Sequence, residues 1–478
     1  REVGLNPHLF EMANIRDQNS WVHMREPEKA TEKAKDLVRM AVAKAYLSEA
    51  LGRIDINVIP KGLVIGGGVS GMVSALRLAE EGYEVCLVEK EDKLGGQAND
   101  IYYTLEGEDV QGFLKDLITK VNSNKKVHVF TSAKIEKIEG FVGNFKTTFK
   151  VGSSQKEFEH GVIIVATGAK EYYPVEYLYG KDERIITQRA LEKLIFCKKL
   201  NITSGTSVVM IQCVGSRDEK RPYCSRICCA EALKNALEIK KINKKADVYI
   251  VFRDIRTYSF REDFYRKARE EGVVFIRYSE KEKPDVRING KKLEVIVKDQ
   301  VLGEKLLIPA DLVVLSTGVV APDANQELSK LLKVPLNQDG FFMEAHAKLR
   351  PVEFATEGVF LCGLAHSPKF IEESIWQADA CASRACTILS RGKIEIEGEI
   401  ARVNEVKCSG CRLCEKICPY GAIEIKVKKV LGREKEVAQV NAALCKGCGA
   451  CSASCRSGSI DLKGFSSEQI LAQIEVAK

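Results

Sequence analysis

Two cysteine runs in this sequence have a spacing that specifies metal chemistry. Cys408, Cys411, Cys414 and Cys418, with Pro419 behind them, are followed by Cys445, Cys448, Cys451 and Cys455. Both runs read C-x2-C-x2-C-x3-C, the pattern of a bacterial-type ferredoxin holding two 4Fe–4S clusters, in which the fourth cysteine of each run ligates the other cluster. Cys408, Cys411, Cys414 and Cys455 are therefore expected to hold one cluster, and Cys445, Cys448, Cys451 and Cys418 the second. Zinc would need four ligands of the CxxC…CxxC kind rather than eight in this double pattern. Arg456 stands where the second run would carry its proline, which removes no ligand.

A separate group is Cys213, Cys224, Cys228 and Cys229. A vicinal pair opening a helix, with two cysteines upstream, can surround one more 4Fe–4S cluster. On spacing alone, buried structural thiols or a redox pair stay open. Position favours metal: the group occupies a strand-to-helix turn, Gln212-Cys213-Val214-Gly215-Ser216-Arg217, where a nicotinamide dinucleotide would need glycines. The five other cysteines, Cys86, Cys197, Cys362, Cys381 and Cys386, read as buried small hydrophobes, and no CxxC remains for dithiol chemistry. Among six histidines only His366 falls near an expected cofactor, where a packing role is expected.

The third signal is Gly66-Gly67-Gly68-Val69-Ser70-Gly71. Gly66 permits a tight turn, Gly68 lets the backbone approach a pyrophosphate, and Gly71 lets helix and strand pack closely. The phosphates would sit on the N-terminus of the following helix, Ser70 included. Glu89 ends the next strand and can accept hydrogen bonds from ribose hydroxyls.

These residues need elements to position them. A strand over 62–65, a helix over 70–81 and a strand over 84–89 form a βαβ unit and hence a parallel sheet. Residues 125–160 alternate apolar and polar and are expected to form antiparallel hairpins, before a buried strand over 162–166. The pattern repeats as a strand over 207–213, a helix over 228–241 and strands over 247–252 and 311–316. A helix is expected over 27–51, with Pro27 in its first turn and Gly52 behind it. The expected domains are 1–60 as a lead-in, 61–175 with 310–398 binding the dinucleotide, 176–309 carrying the third cluster, and 399–478 as the two-cluster ferredoxin.

The 478 residues exceed one hydrophobic core, and no run of eighteen apolar residues exists to span a membrane. The balance of 73 basic against 66 acidic residues gives +7, but the charges interleave, which argues for a solvated face and against nucleic acid. Three clusters at about −2 each and a dinucleotide at about −2 would bring the loaded chain near −1. Seventeen cysteines, an odd count, and no signal peptide ahead of Arg1 suggest a reducing, cytoplasmic setting.

Gly95-Gly96-Gln97 and Gly358-Val359-Phe360-Leu361-Cys362-Gly363 resemble the FAD contacts of thioredoxin-reductase-type flavoproteins. The resemblance implies that FAD also meets Lys90, Ala166, Thr167, Gly168 and Leu364, and that Gln377 lies on the flavin-ring helix. An Asp is usual where this chain has Leu364. The motifs 10–16, 212–217, Tyr223-Cys224-Ser225-Arg226-Ile227-Cys228-Cys229 and Gly363-Leu364-Ala365-His366-Ser367-Pro368-Lys369 resemble the A-type subunit of heterodisulfide reductase, over essentially the whole chain. That family implies an α/β flavoprotein of thioredoxin-reductase type with two dinucleotide-binding domains, plus a C-terminal α+β two-cluster ferredoxin domain. It also implies that Lys234 lies near the flavin N5, where it would stabilise reduced flavin. The chain departs from the family twice. Asn19 replaces a usual cysteine, so no cluster is expected there, and 146–160 is too short for the ferredoxin domain that longer members insert.

The expected function is an FAD and iron–sulfur subunit with three 4Fe–4S clusters that bifurcates electrons. Its partners would be heterodisulfide reductase B-like and C-like subunits, a hydrogenase or formate dehydrogenase module, ferredoxin and a second copy of itself. The acceptor would be a disulfide of CoM-S-S-CoB type. The rivals are an NAD(P)H-dependent flavoprotein, disfavoured by the missing second glycine fingerprint, and a flavin relay of a quinone-interacting membrane-bound oxidoreductase.

Overall fold

A computed structural model describes residues 4–52, 54–290, 292–396 and 398–477. The chain divides into two compact units, Ile59–Arg391 and Arg1–Val58 with Gly392–Lys478.

The larger unit is built on two five-stranded parallel sheets. The first runs Val359–Leu361, Val162–Val165, Lys61–Ile65, Glu84–Val88, Val127–Phe130 across the sheet. Its inner strands are buried on both faces, which is why they read as unbroken apolar runs such as Val162-Ile163-Ile164-Val165. The helix Val69–Glu80 crosses from the first strand to the second and buries most of its length. The second sheet runs Ile185–Thr187, Leu312–Thr317, Ser207–Val214, Asp247–Phe252, Val274–Arg277, with Cys228–Ile242 as the equivalent crossover helix. Each half also carries a three-stranded antiparallel sheet, Ala133–Phe141 through Ser154–His160 in one and Asp285–Asn289 through Lys305–Ala310 in the other. The internal echo in the sequence is thus a repeat of sheet plus antiparallel insert.

Val127–Phe130 corrects an expectation. It is the edge of the parallel sheet rather than part of a hairpin, because a half-exposed parallel edge strand shows the same alternation. The short segment 146–160 lies in a hairpin, Asn144–Val151 against Ser154–His160.

The smaller unit has the antiparallel pairs Ala401–Val403 with Ile460–Leu462 and Ile423–Val430 with Arg433–Val440, and short helices Leu413–Ile417 and Ala450–Ala453. Its long helix Pro27–Tyr46 packs on Ser467–Val476. That helix ends before residue 51, where the Ser48 hydroxyl bonds the Lys44 carbonyl and closes the last turn. Asn19, in the preceding turn, is buried and donates to the Ala30 carbonyl at 2.8 Å. No helix among the described residues is long and apolar enough to cross a membrane.

Candidate cofactor sites

The glycine fingerprint forms a cradle open on one side. Gly66 has φ +110°, and a side chain there would run into the Ala166 carbonyl; one on Gly71 would run into the carbonyl of Gly66. Gly68 has nothing within 4 Å of where a Cβ would stand. The first turn of Val69–Glu80, with its unbonded N–H groups, therefore faces open space of the kind a diphosphate fills. A side chain on Gly363 would likewise meet Ser70.

The open space is a cavity of about 390 Å³ lined by Gly68, Ser70, Glu89, Gln97, Thr167 and Leu364 among others. Lys90, Gly95, Gly96, Ala166 and Gly168 also line it, whereas Gly71, Gly363 and Gln377 do not. At one end Glu89, Lys90 and Thr167 also line a second cavity of about 510 Å³ with Gly66 and Ala133. At the other end Arg189, Ile227 and Lys369 also line a third, of about 100 Å³. The Glu89 carboxylate is anchored by the backbone N–H groups of Gly67 at 2.5 Å and Glu91 at 2.8 Å, leaving its remaining lone pairs for a ribose. Gln377 accepts from the Gly363 N–H at 2.9 Å and contacts His366 Nδ1 at 3.0 Å. His366 Nε2 lies 2.9 Å from Glu344, so both ring nitrogens are satisfied. An elongated pocket floored by glycines at a helix N-terminus, with a buried carboxylate at one end, fits a flavin dinucleotide.

The ferredoxin cysteines fall into two groups. A small void is lined by Cys418, Cys445, Cys448 and Cys451. Burial, followed by the charges of Cys445 and Cys418, pushes the Cys451 thiol up to about 11. In the other group burial raises Cys414, with Cys408 and Cys411 adding to it, and Cys455 acts on Cys411. Against its burial, hydrogen bonds from Ser459 and Ser457 hold Cys455 down at about 7. Backbone N–H groups of Ala401, Ala422 and Ser459 donate to Cys445, Cys418 and Cys455 at 3.3–3.4 Å, as donors around cluster sulfurs do. All seventeen cysteines are free thiols. Among the described residues no three ligating groups converge on a single ion. Cubane thiolates each bind a different iron and need no such point, so the two groups fit clusters.

Cys213, Cys224, Cys228 and Cys229 also meet. Cys213 ends its strand at φ +63°, a left-handed conformation that costs a non-glycine residue of order 1–3 kcal/mol and collects at functional sites. Burial pushes its thiol up to about 11, with Cys229 and Cys224 adding to that. The hydrogen bond with Cys228 brings Cys229 down to about 7 against its burial, while Cys228 is raised. Arg217 and Arg256 favour the Cys229 thiolate, and the Arg226 N–H donates to Cys224 at 3.3 Å. Both amide atoms of buried Gln212, and the Ser216 hydroxyl, have no partner in the protein. Four neighbouring thiols beside arginines and orphaned polar groups fit an anionic cluster.

Residues 407–459 match a family described as a 4Fe-4S dicluster domain, and residues 64–116 one described as an NAD(P)-binding Rossmann-like domain. An iron-sulfur A-type subunit of the CoB--CoM heterodisulfide reductase of Methanopyrus kandleri is 37% identical over 89% of this chain and 79% of its own length. The A-type subunit of the H(2):CoB-CoM heterodisulfide,ferredoxin reductase of Methanothermobacter thermautotrophicus is 36% identical over 100% of this chain and 85% of its own. The chain belongs to the family of heterodisulfide reductase A-type subunits. As a member of it, the chain is an oxidoreductase, an iron–sulfur flavoprotein with an electron-transfer role. Its fold is an α/β arrangement with a Rossmann-like dinucleotide-binding domain plus a C-terminal 4Fe-4S dicluster domain. A thioredoxin reductase from Lactococcus lactis aligns at 19% identity and TM-score 0.49 over 69% of this chain and 99% of that one.

In this heterodisulfide reductase family member Lys234 lines the third cavity and is not a free cation. Its ammonium pairs with buried Glu192 at 2.7 Å and donates to the Tyr103 carbonyl at 2.9 Å. Glu192 also accepts from the Tyr102 N–H at 2.7 Å. Burial raises nearby Glu231 to about 7. The sequence did not single out Glu192, Glu231, Arg189 or Lys369. For Lys369 a signal existed: a lysine inside a Gly-Leu-Ala-His-Ser-Pro-Lys motif directly ahead of an apolar helix. Cys86, Cys362 and Cys381 are buried as expected, but Cys197 is exposed, because it caps the end of the helix Gln188–Phe196 beyond the apolar stripe.

Proposed function

We propose that this chain is the FAD- and cluster-bearing subunit that divides electron pairs in a heterodisulfide-reductase-like complex. FAD lies along Gly66, Gly68, Ser70 and Glu89 towards Leu364. One 4Fe–4S cluster is held by Cys213, Cys224, Cys228 and Cys229, and two by the ferredoxin cysteines in the crossed sets given above. Bound FAD supplies a carrier that takes electrons in pairs and releases them singly. Electrons enter from a hydrogenase or formate dehydrogenase module and leave to ferredoxin and, through B-like and C-like subunits, to a disulfide of CoM-S-S-CoB type. The protein works as a homodimer within that complex, in the cytoplasm.

One observation carries this reading. Ile227 lines both the 390 Å³ cavity and the neighbouring 100 Å³ one, and the next residue is Cys228. The turn that bears four thiols thus forms part of the wall of the flavin cavity, occupying the place of a nicotinamide-binding turn. Direct electron transfer between the two cofactors needs that adjacency. The test is a reconstitution with B-like and C-like subunits and a hydrogenase. Ferredoxin should be reduced by hydrogen only while the disulfide is also being reduced. Bleaching of the flavin by stoichiometric NADH, without such coupling, would overturn the reading.

A further inference from the structure

Four basic residues line the third cavity, at the Lys369 end of the cofactor cavity: Arg189, Lys234, Arg261 and Lys369. Three are compensated: Lys234 is paired with Glu192 at 2.7 Å, Arg261 with Glu372 and with Glu106 at 3.0 Å, and Arg189 is bonded to Gln97 and lies 3.7 Å from Glu171. Lys369 differs. It is 9% exposed, and its ammonium donates only to neutral oxygens, the carbonyls of Gly363 at 2.7 Å and Ser367 at 2.9 Å and the Ser367 hydroxyl at 3.2 Å. Among the described residues no carboxylate lies within ion-pairing distance of it. The acidic group that acts on its charge first is the buried Cys362 thiol, itself bonded to Cys381 and Ser74, and the two carboxylates that follow are engaged elsewhere: Glu373 by Arg226 at 2.7 Å and the Phe370 N–H at 2.9 Å, Glu344 by His366. Beside Gly363 stands Leu364, which offers no carboxylate either.

A buried ammonium with hydrogen bonds but no counter-ion bears a desolvation cost that a bound anion would relieve. Burial brings Lys369 down to about 8, so it stays protonated at neutral pH. The helix Ile371–Leu389 starts two residues later and directs its N-terminal partial charge to the same place. The order of the cavities decides which part of the cofactor that is. The Glu89 end takes the ribose and Gly68 with Ser70 takes the diphosphate, which leaves the Lys369 end for the isoalloxazine ring.

We propose that Lys369 is the counter-charge for the reduced flavin anion, raising the flavin's reduction potential. This rests on the FAD reading above. Lys234, neutralised by Glu192, then serves a different purpose from Lys369, whose charge is uncompensated until the flavin is reduced.

The test uses the holoprotein with Lys369→Met, Lys369→Gln and Lys369→Arg. Gln keeps an amide donor for the Gly363 and Ser367 oxygens while removing the charge. FAD per chain is measured first, then the ratio of reduced to oxidised flavin at a fixed poise from flavin difference spectra. The affinity for sulfite is measured as well, because its adduct at N5 leaves negative charge on the ring. In both neutral variants FAD should stay bound, the ratio should fall about tenfold or more, about 30 mV for a two-electron couple, and sulfite should bind at least about tenfold more weakly. Arg should hold both within about threefold. A ratio within about twofold of wild type in FAD-bound Met and Gln variants would overturn the proposal. So would folded Met and Gln variants that carry no FAD, which would make Lys369 a clamp on the loop. A wild-type chain that binds no flavin would instead refute the proposed function itself.

Discussion

The Lys234–Glu192 pair shows how a buried charge constrains substitution. Both side chains are almost fully enclosed, so removing one leaves the other charged and unpaired. Lys234→Met should destabilise the protein by about 3–5 kcal/mol, and adding Glu192→Met should recover most of that loss. Unfolding curves for the two variants check it; equal losses in both would show that the pair is not coupled. A second prediction concerns His160, buried between strands with Thr147 at 2.8 Å and the Val162 carbonyl at 3.0 Å. Burial lowers its pKa to about 3, so the folded state keeps it neutral where the unfolded chain binds a proton. The stability this contributes is present above the unfolded value of about 6.5 and is lost as pH falls towards 3. Between pH 7 and pH 5 the loss should be about 2 kcal/mol, and His160→Gln should flatten that part of the profile. The ferredoxin cysteines were legible in the sequence because the spacing of their two runs points to ligand sets, whereas spacing alone left other readings open for Cys213, Cys224, Cys228 and Cys229. Glu192 was not legible, since a lysine 42 residues away becomes its partner only when two helices pack.

At the scale of elements, the turn between Lys61–Ile65 and Val69–Glu80 separates folding from binding. Gly71 touches backbone, whereas Gly68 faces open space with a φ of −74° that any residue can adopt. Gly68→Val should therefore melt within a few degrees of wild type but purify without flavin, whereas Gly71→Val should lose the fold. Absorbance at the flavin band and thermal melts distinguish the two, and a Gly68→Val protein with full flavin would contradict the cradle. Six of the ten parallel strands and both crossover helices could be read from apolar runs and glycine placement. The edge strand Val127–Phe130 could not, because alternation reports one wet face without saying which neighbour the strand pairs with.

Across the whole molecule, one architecture occurs twice with different turns. The first sheet ends in a glycine cradle, the second in four thiols, and the two turns line adjoining space through Ile227. The lead-in residues belong with the ferredoxin strands in one compact unit, whereas the sequence reading set them apart as a separate domain. The relative from Methanothermobacter thermautotrophicus aligns over 572 positions against 478 residues here. On the proposed function, the chain carries one flavin and three clusters, the third on the second sheet's turn. Iron and flavin quantification with EPR on the anaerobic protein checks this. About twelve irons and one FAD per chain are expected, falling towards eight irons in Cys213→Ala with the ferredoxin signals intact. About eight irons in the wild-type protein, unchanged by Cys213→Ala, would contradict it.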